Sequence, residues 1–331
     1  MDEIETLEEI ARAKERIVEK MHNVIVGQDE IIEKILIGLF AGGHCLLVGV
    51  PGLAKTLMIR TLSKILDLRF KRIQFTPDLM PSDITGIDVI EEHPETRQRN
   101  LRFIQGPIFA NLILADEINR APPKTQAALL EAMQEYQVTA GGKTYELEKP
   151  FLVLATQNPI ELEGTYPLPE AQLDRFMFSI YLDYPDFEDE KKIAEHEVFQ
   201  SIPEIPSVLN GEKIIHFQNI IKKIPVSDFV VEYAVNLVRN TRPNNGKCPE
   251  FIKNYVNWGA GPRAAQYLVL AAKTRAGLRG DVNVSIHDIK YVAQSVLRHR
   301  IFTNFTADAD GVGAGEIVEK LLNVFPESGL K

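Results

Sequence analysis

The 331-residue sequence predicts an α/β protein with a mainly parallel five-stranded sheet, followed by an all-helical domain. Three observations carry that expectation. Residues 1–185 contain five short apolar runs that lack polar alternation, as strands buried on both faces do. The stretch "LLVGVPGLAKT", residues 46–56, joins one such run to a helical pattern through a glycine-containing turn. From residue 186 onward the texture changes to helical periodicity. At this length two domains are expected, 1–185 and 186–331.

The N-terminal "MDEIETLEEIARAKERI" is acidic and amphipathic rather than basic and then apolar, which argues against a secretory signal. The sequence has no run of about 18 apolar residues, so no membrane span is expected and a cytoplasmic protein is. The strand candidates are "HCLLVGV", "FKRIQFT", "NLILADE", "FLVLATQN" and "FSIYLDY". Pro185 and the acids Asp186, Glu188, Asp189 and Glu190 suit a helix start at the domain boundary. Beyond it "DFVVEYAVNLVRNTR", "RAAQYLVLAAKTRAGLRG" and "IHDIKYVAQSVLRHRI" are helical patterns. Cys45 and Cys248 fit neither a disulfide framework nor a zinc spacing and are read as structural thiols. With 37 Lys+Arg against 46 Asp+Glu the formal charge is −9, which disfavours sequence-independent binding to nucleic acid.

The turn of residues 49–54 is the first chemical signal. Strand "CLLV" runs through Gly49, Val50, Pro51, Gly52, Leu53 and Ala54 into a helix opened by Lys55, Thr56 and Leu57. Free N–H groups at such a helix start face an anion. Ala54 stands where the phosphate-loop pattern G-x-x-x-x-G-K-[ST] has glycine, a departure of one methyl group. Lys55 is expected on the β- and γ-phosphates and Thr56 on Mg²⁺; the plainer alternative is a tight turn with a solvated lysine. "NLILADE" then places Asp116 and Glu117 at the carboxyl end of an apolar strand, where α/β proteins bind ligands. Asp116 would hold Mg²⁺ and Glu117 would polarise water, the alternative being a solvated loop start. Asn158 ends the run "FLVLATQN", where a neutral amide can orient water or simply make an Asx turn before Pro159.

In order along the chain, "GVPGLAKT", "LADEINRAPPKTQAALLEAMQE", "ATQNP" and "LPEAQLDRFMF" resemble the motifs of the MoxR family of AAA+ ATPases, and the resemblance spans essentially the whole chain. It implies ATP and Mg²⁺ as ligands, Val26 and Gly27 of "VIVGQDE" at adenine, Asn158 as sensor 1, Arg175 as an arginine finger reaching a neighbour's nucleotide, and Arg263 as sensor 2, in cis or in trans. A salt bridge with Asp174 or another surface acid is the alternative for Arg175. Arg120 is read as a structural ion pair, the alternative being a residue that faces an interface. The segments at about 82–108 and 137–149 resemble the helix 2 insert and the hairpin before sensor 1, shared with magnesium chelatase ATPase subunits and MCM helicases. Gly141-Gly142 makes a hairpin turn in the second.

The family further implies a homo-oligomeric ring, a hexamer, driving chaperone-like maturation or cofactor or metal insertion of a client protein. A partner with a von Willebrand factor A domain is implied too. A magnesium chelatase-like motor subunit, a nucleic-acid-dependent translocase and an ATP-gated scaffold are the alternatives.

Overall fold

The computed structural model of the protein describes residues 3–92, 99–161, 164–195 and 205–325. Helices α1 (Glu3–His22) and α2 (Asp29–Ala41) precede strand β1 (Cys45–Val48) and helix α3 (Lys55–Ile65). Strand β2 (Phe70–Gln74) leads through α4 (Pro81–Thr85) into the antiparallel pair β3 (Gly86–Glu92) and β4 (Arg99–Gln105). The polar tip expected between them, residues 93–98, lies outside the described residues. Then come β5 (Leu112–Asp116), α5 (Pro123–Glu135), the hairpin β6 (Gln137–Ala140) and β7 (Lys143–Glu146), β8 (Leu152–Gln157), α6 (Glu170–Leu173) and β9 (Phe178–Tyr181).

The five apolar runs are the five strands of one parallel sheet, in the order β2-β5-β8-β1-β9. Their lack of alternation has a direct cause. Leu112, Leu114, Leu152, Leu154, Cys45 and Leu47 pack on one face with the N-terminal helices. Ile113, Ala115, Val153, Ala155, Leu46 and Val48 pack on the other, against Leu129, Leu130 and Met133 of α5. On the three central strands both faces are covered, so a period of two leaves almost no polar positions there, while β2 at the sheet edge keeps Lys71 and Arg72 exposed. Because β8 lies between β5 and β1, the ends of these three strands form one continuous edge.

The later part of the chain is helical: α7 (Phe187–Glu195), α8 (Gly211–Lys223), α9 (Asp228–Arg239), α10 (Glu250–Tyr255), α11 (Pro262–Leu278), α12 (Ile286–Leu297), α13 (Phe305–Asp310) and α14 (Ala314–Val324). It is not wholly so. Strands β10 (Val256–Trp258) and β11 (Phe302–Thr303) pair antiparallel between helices. Leu237, Leu268, Ala272, Val292 and Leu321 of this part share one core with α1, α2 and the first sheet face. Among the described residues no helix is long and apolar enough to cross a membrane.

The hairpin turn at Gly141 and Gly142 has φ of 58° and 75°, the left-handed values a two-residue hairpin loop needs. The two antiparallel pairs touch: Phe103 of β4 stacks on Tyr145 of β7 with ring centroids 4.3 Å apart. Ile90 and Leu101, opposite each other in the first pair, are 69% and 75% exposed.

Candidate active site

A cavity of about 450 Å³ opens at the carboxyl edge of the sheet, lined by residues 49 and 51–57 together with Arg72, Asp116, Glu117, Thr156 and Asn158. The turn after β1 forms its floor. A Cβ on Gly49 would stand 2.8 Å from the Leu182 carbonyl oxygen, so the crowded backbone there admits only glycine. Gly52 has φ +90° and open space where a side chain would be, which leaves the loop backbone accessible to a ligand. Ala54 sits at φ 52°, ψ 20°, in the left-handed region, just before α3 begins. That conformation explains the usual glycine: a Cβ there costs roughly 1–2 kcal/mol. Ala54→Gly should therefore add up to about 1 kcal/mol of stability, glycine's extra unfolded-state freedom taking back the rest. Urea denaturation checks it, and a destabilised Ala54→Gly protein would contradict it.

Lys55 opens α3 and donates to the Gly49 carbonyl, folded back along its own loop. Burial lowers its ammonium below the ordinary lysine value, while Asp116 and Glu117 act in the opposite direction. A polyphosphate entering the cavity would offer this cation a better partner than a carbonyl.

The two acids form a closed network. Thr156 donates its hydroxyl to Asp116 Oδ1 at 2.6 Å and accepts the Glu117 N–H at 2.8 Å. Arg72 donates from Nε at 3.0 Å and Nη2 at 2.6 Å to Asp116 Oδ2, and from Nη2 to Gln74 Oε1 at 2.5 Å. Gln74 in turn donates to Glu117 Oε2 at 2.9 Å. Arg120 bridges Glu117 Oε2 at 3.1 Å and Glu161 Oε2 at 2.8 Å, so its ion pair ends on one of the two acids. Glu117 itself has φ 56°, ψ 49°, a strained backbone held by the Thr156 bond.

Thr156, Arg72 and Gln74 were not singled out in the sequence. A signal existed for Thr156: it lies two residues before Asn158 in the run "FLVLATQN", the spacing that puts side chains of an extended chain on one face. Thr156 is 2% exposed, so Thr156→Val leaves the Glu117 N–H buried without its acceptor and removes a bond to a carboxylate. It should cost about 2–4 kcal/mol of stability, read by urea denaturation; a loss below about 1 kcal/mol would sink this account.

Asn158, 9% exposed, accepts the Ile160 N–H at 3.2 Å, the Asx geometry, and lines the cavity as well. The other expected residues lie elsewhere. Val50 packs against the main core. Gly27 abuts Asp189 of α7, whose Oδ2 lies 2.1 Å from where a Cβ would stand. Neither Val26 nor Gly27 lines the cavity, and no residue of the helical part does.

Arg175 and Arg263 are at the opposite edge. They line a recess of about 160 Å³ with Gly42, Gly43, Tyr136 and Tyr267, before the start of β1 and β9. Roughly 13 Å of strand, at about 3.3 Å per residue, separates that edge from the phosphate loop. Arg175 does not pair with Asp174: that carboxylate receives Arg300 Nε at 2.7 Å on Oδ1 and Arg263 Nη1 at 3.3 Å on Oδ2. Among the described residues the Arg175 guanidinium makes no hydrogen bond or ion pair.

No cluster of three or more His, Cys, Asp or Glu among the described residues could hold a metal by itself. Asp116 and Thr56, both on the cavity wall, fit Mg²⁺, which is commonly held by one or two protein groups with substrate phosphates and water.

Residues 44–178 match the model of the ATPase family associated with various cellular activities (AAA), and residues 250–321 match that of the AAA lid domain. The chain is 41% identical to Chaperone MoxR1 of Mycobacterium tuberculosis over 95% of this chain and 84% of that one. It is 41% identical to the uncharacterized protein YeaC of Bacillus subtilis over 92% of each. A crystallised candidate ATPase from Cytophaga hutchinsonii superposes with a TM-score of 0.89 at 43% identity, covering 96% of both chains.

Proposed function

Because this chain belongs to the MoxR family of AAA ATPases, we propose that it binds ATP in the cavity at the carboxyl edge of the sheet and hydrolyses it in a ring of identical subunits, a hexamer, to remodel or mature a client protein. The observation that carries the reading is the separation of Lys55 from Arg175 across the sheet: each subunit holds a phosphate loop on one edge and an unpaired arginine on the other. Two such halves, from neighbouring copies, make one hydrolytic site.

Within it the loop N–H groups and Lys55 hold the phosphates and offset the charge that develops on the transferred group. Thr56 and Asp116 would hold Mg²⁺, which supplies charge neutralisation at the phosphate oxygens when bound. To take Mg²⁺, Asp116 must be released by Arg72, and to position water Glu117 must leave Gln74 and Arg120. The Asn158 amide N–H₂, not used in its Asx turn, orients the same water. Arg175 enters from the neighbour. Arg263, tied to Asp174 beside Arg175, is assigned to act in trans with it. Val26 and Gly27 are proposed at adenine on the resemblance alone, since neither lines the cavity. The MoxR resemblance also supports a partner with a von Willebrand factor A domain.

The test of the cellular role is affinity purification of Glu117→Gln protein from its native cell in the presence of ATP, with Lys55→Ala alongside. A protein retained by the first and absent from the second is the client. Identical retained sets, or strong stimulation of hydrolysis by nucleic acid, would overturn the reading.

A further inference from the structure

Arg300 is 3% exposed, in the short turn Arg298–Arg300 that follows α12. A guanidinium has five N–H donors in a fixed plane, and here each has an acceptor. Nε donates to Asp174 Oδ1 at 2.7 Å. Nη2 donates to the carbonyls of Asp174 at 3.0 Å and Phe176 at 2.6 Å. Nη1 donates to the carbonyl of Met177 at 3.3 Å and to that of Val296. Four of those five contacts therefore end on residues 174–177, the segment that carries Arg175. Two neighbours complete the grip: His299 Nε2 bonds the Phe176 carbonyl at 3.0 Å, and the Tyr267 hydroxyl donates to the Arg175 carbonyl at 3.5 Å. Burial holds His299 well below the usual histidine value, so it meets that carbonyl as a neutral ring donating from Nε2.

We infer that Arg300 is a positioning residue for Arg175: the helical part of each subunit fixes the backbone from which Arg175 reaches the neighbour's nucleotide. A clamp of this kind is more than glue between two parts of the fold. Burying a charge is expensive, and apolar packing would hold the parts together at lower cost. Here the common core already does so. What the guanidinium adds is a planar fork that defines the direction of three carbonyls around one half-buried side chain, a task a lysine cannot perform. Precision matters because a misplacement of about 1 Å at a reacting centre can cost roughly 10²-fold in rate. The consequence is one of location: damage to Arg300 should be felt in the adjacent subunit's site and spare its own.

The inference rests on the trans assignment of Arg175, and the experiment separates the two. Arg300→Lys protein is mixed in turn with Lys55→Ala and with Arg175→Ala protein, and phosphate release is followed after native mass spectrometry confirms mixed rings. Alone, Arg300→Lys should keep its ATP affinity within about twofold while kcat falls at least tenfold. Lys55→Ala should rescue it, because that subunit presents a well-placed arginine. Arg175→Ala should not, because both partners then lack a working one. Rescue by Arg175→Ala, no rescue by Lys55→Ala, or an unchanged kcat would overturn the role of Arg300. Failure of the control pair, Lys55→Ala with Arg175→Ala, would overturn the trans assignment and this inference with it. Should thermal melting show Arg300→Lys to be unfolded, Asp174→Ala removes the carboxylate that accepts from Arg300 Nε and is read by the same outcomes, with Arg263→Ala alongside because that carboxylate also holds Arg263; an equal loss in the two would overturn the role of Arg300.

Discussion

Glu117→Gln protein should bind ATP as the wild type does and hydrolyse it about 10²–10⁴ times more slowly, while Lys55→Ala should lose binding itself. The two differ because they remove different terms. In the proposed mechanism Lys55, a half-buried cation, meets the phosphates in ground state and transition state alike. Truncating one member of a buried charge pair costs about 2–5 kcal/mol, or roughly 30- to 4,000-fold in affinity. In the proposed mechanism Glu117 acts on water alone, so its replacement by an amide should leave affinity unchanged and remove only the contribution of a positioned base. The amide side chain also keeps an oxygen to accept from Gln74, so the strained turn should survive. Equilibrium titration with a fluorescent nucleotide and steady-state phosphate release separate the effects. Equal affinity in wild type and Lys55→Ala would end the assignment of the phosphate loop.

The second large effect belongs to Arg175. Arg175→Ala should bind ATP and lose about 10³–10⁵ in kcat, the range for an arginine that stabilises phosphoryl transfer from across an interface. Mixed with Lys55→Ala it should recover activity, since a Lys55→Ala subunit still offers its arginine to the intact loop beside it. An arginine acting within its own chain could not do this, and the geometry already opposes it: Arg175 stands before β9 and the loop follows β1, at opposite ends of parallel neighbouring strands. Activity flat at zero across all mixing ratios, with mixed rings confirmed, would refute the trans assignment.

The sequence by itself determined the sheet and picked out residues that line the cavity at its carboxyl edge. Its five apolar runs could be recognised because a parallel sheet covered on both faces permits almost no polar positions, so Leu112, Ile113, Leu114 and Ala115 announce the strand one by one. Lys55, Thr56, Asp116 and Glu117 were legible because the chemistry sits at strand ends and helix starts, where local chain direction fixes what a side chain can face. Contacts between strands distant in sequence left no comparable mark. The bonds of Thr156 to Asp116 and Glu117 span 40 and 39 residues, and that of Arg72 to Asp116 spans 44. Only the order β2-β5-β8 brings those groups together. The same holds at the other edge, where Arg263 and Arg300 reach Asp174 across 89 and 126 residues. Hydrogen bonds act over about 3 Å whatever the separation along the chain, so the partner of a buried charge is decided by packing of the whole fold, after local pattern has chosen the elements.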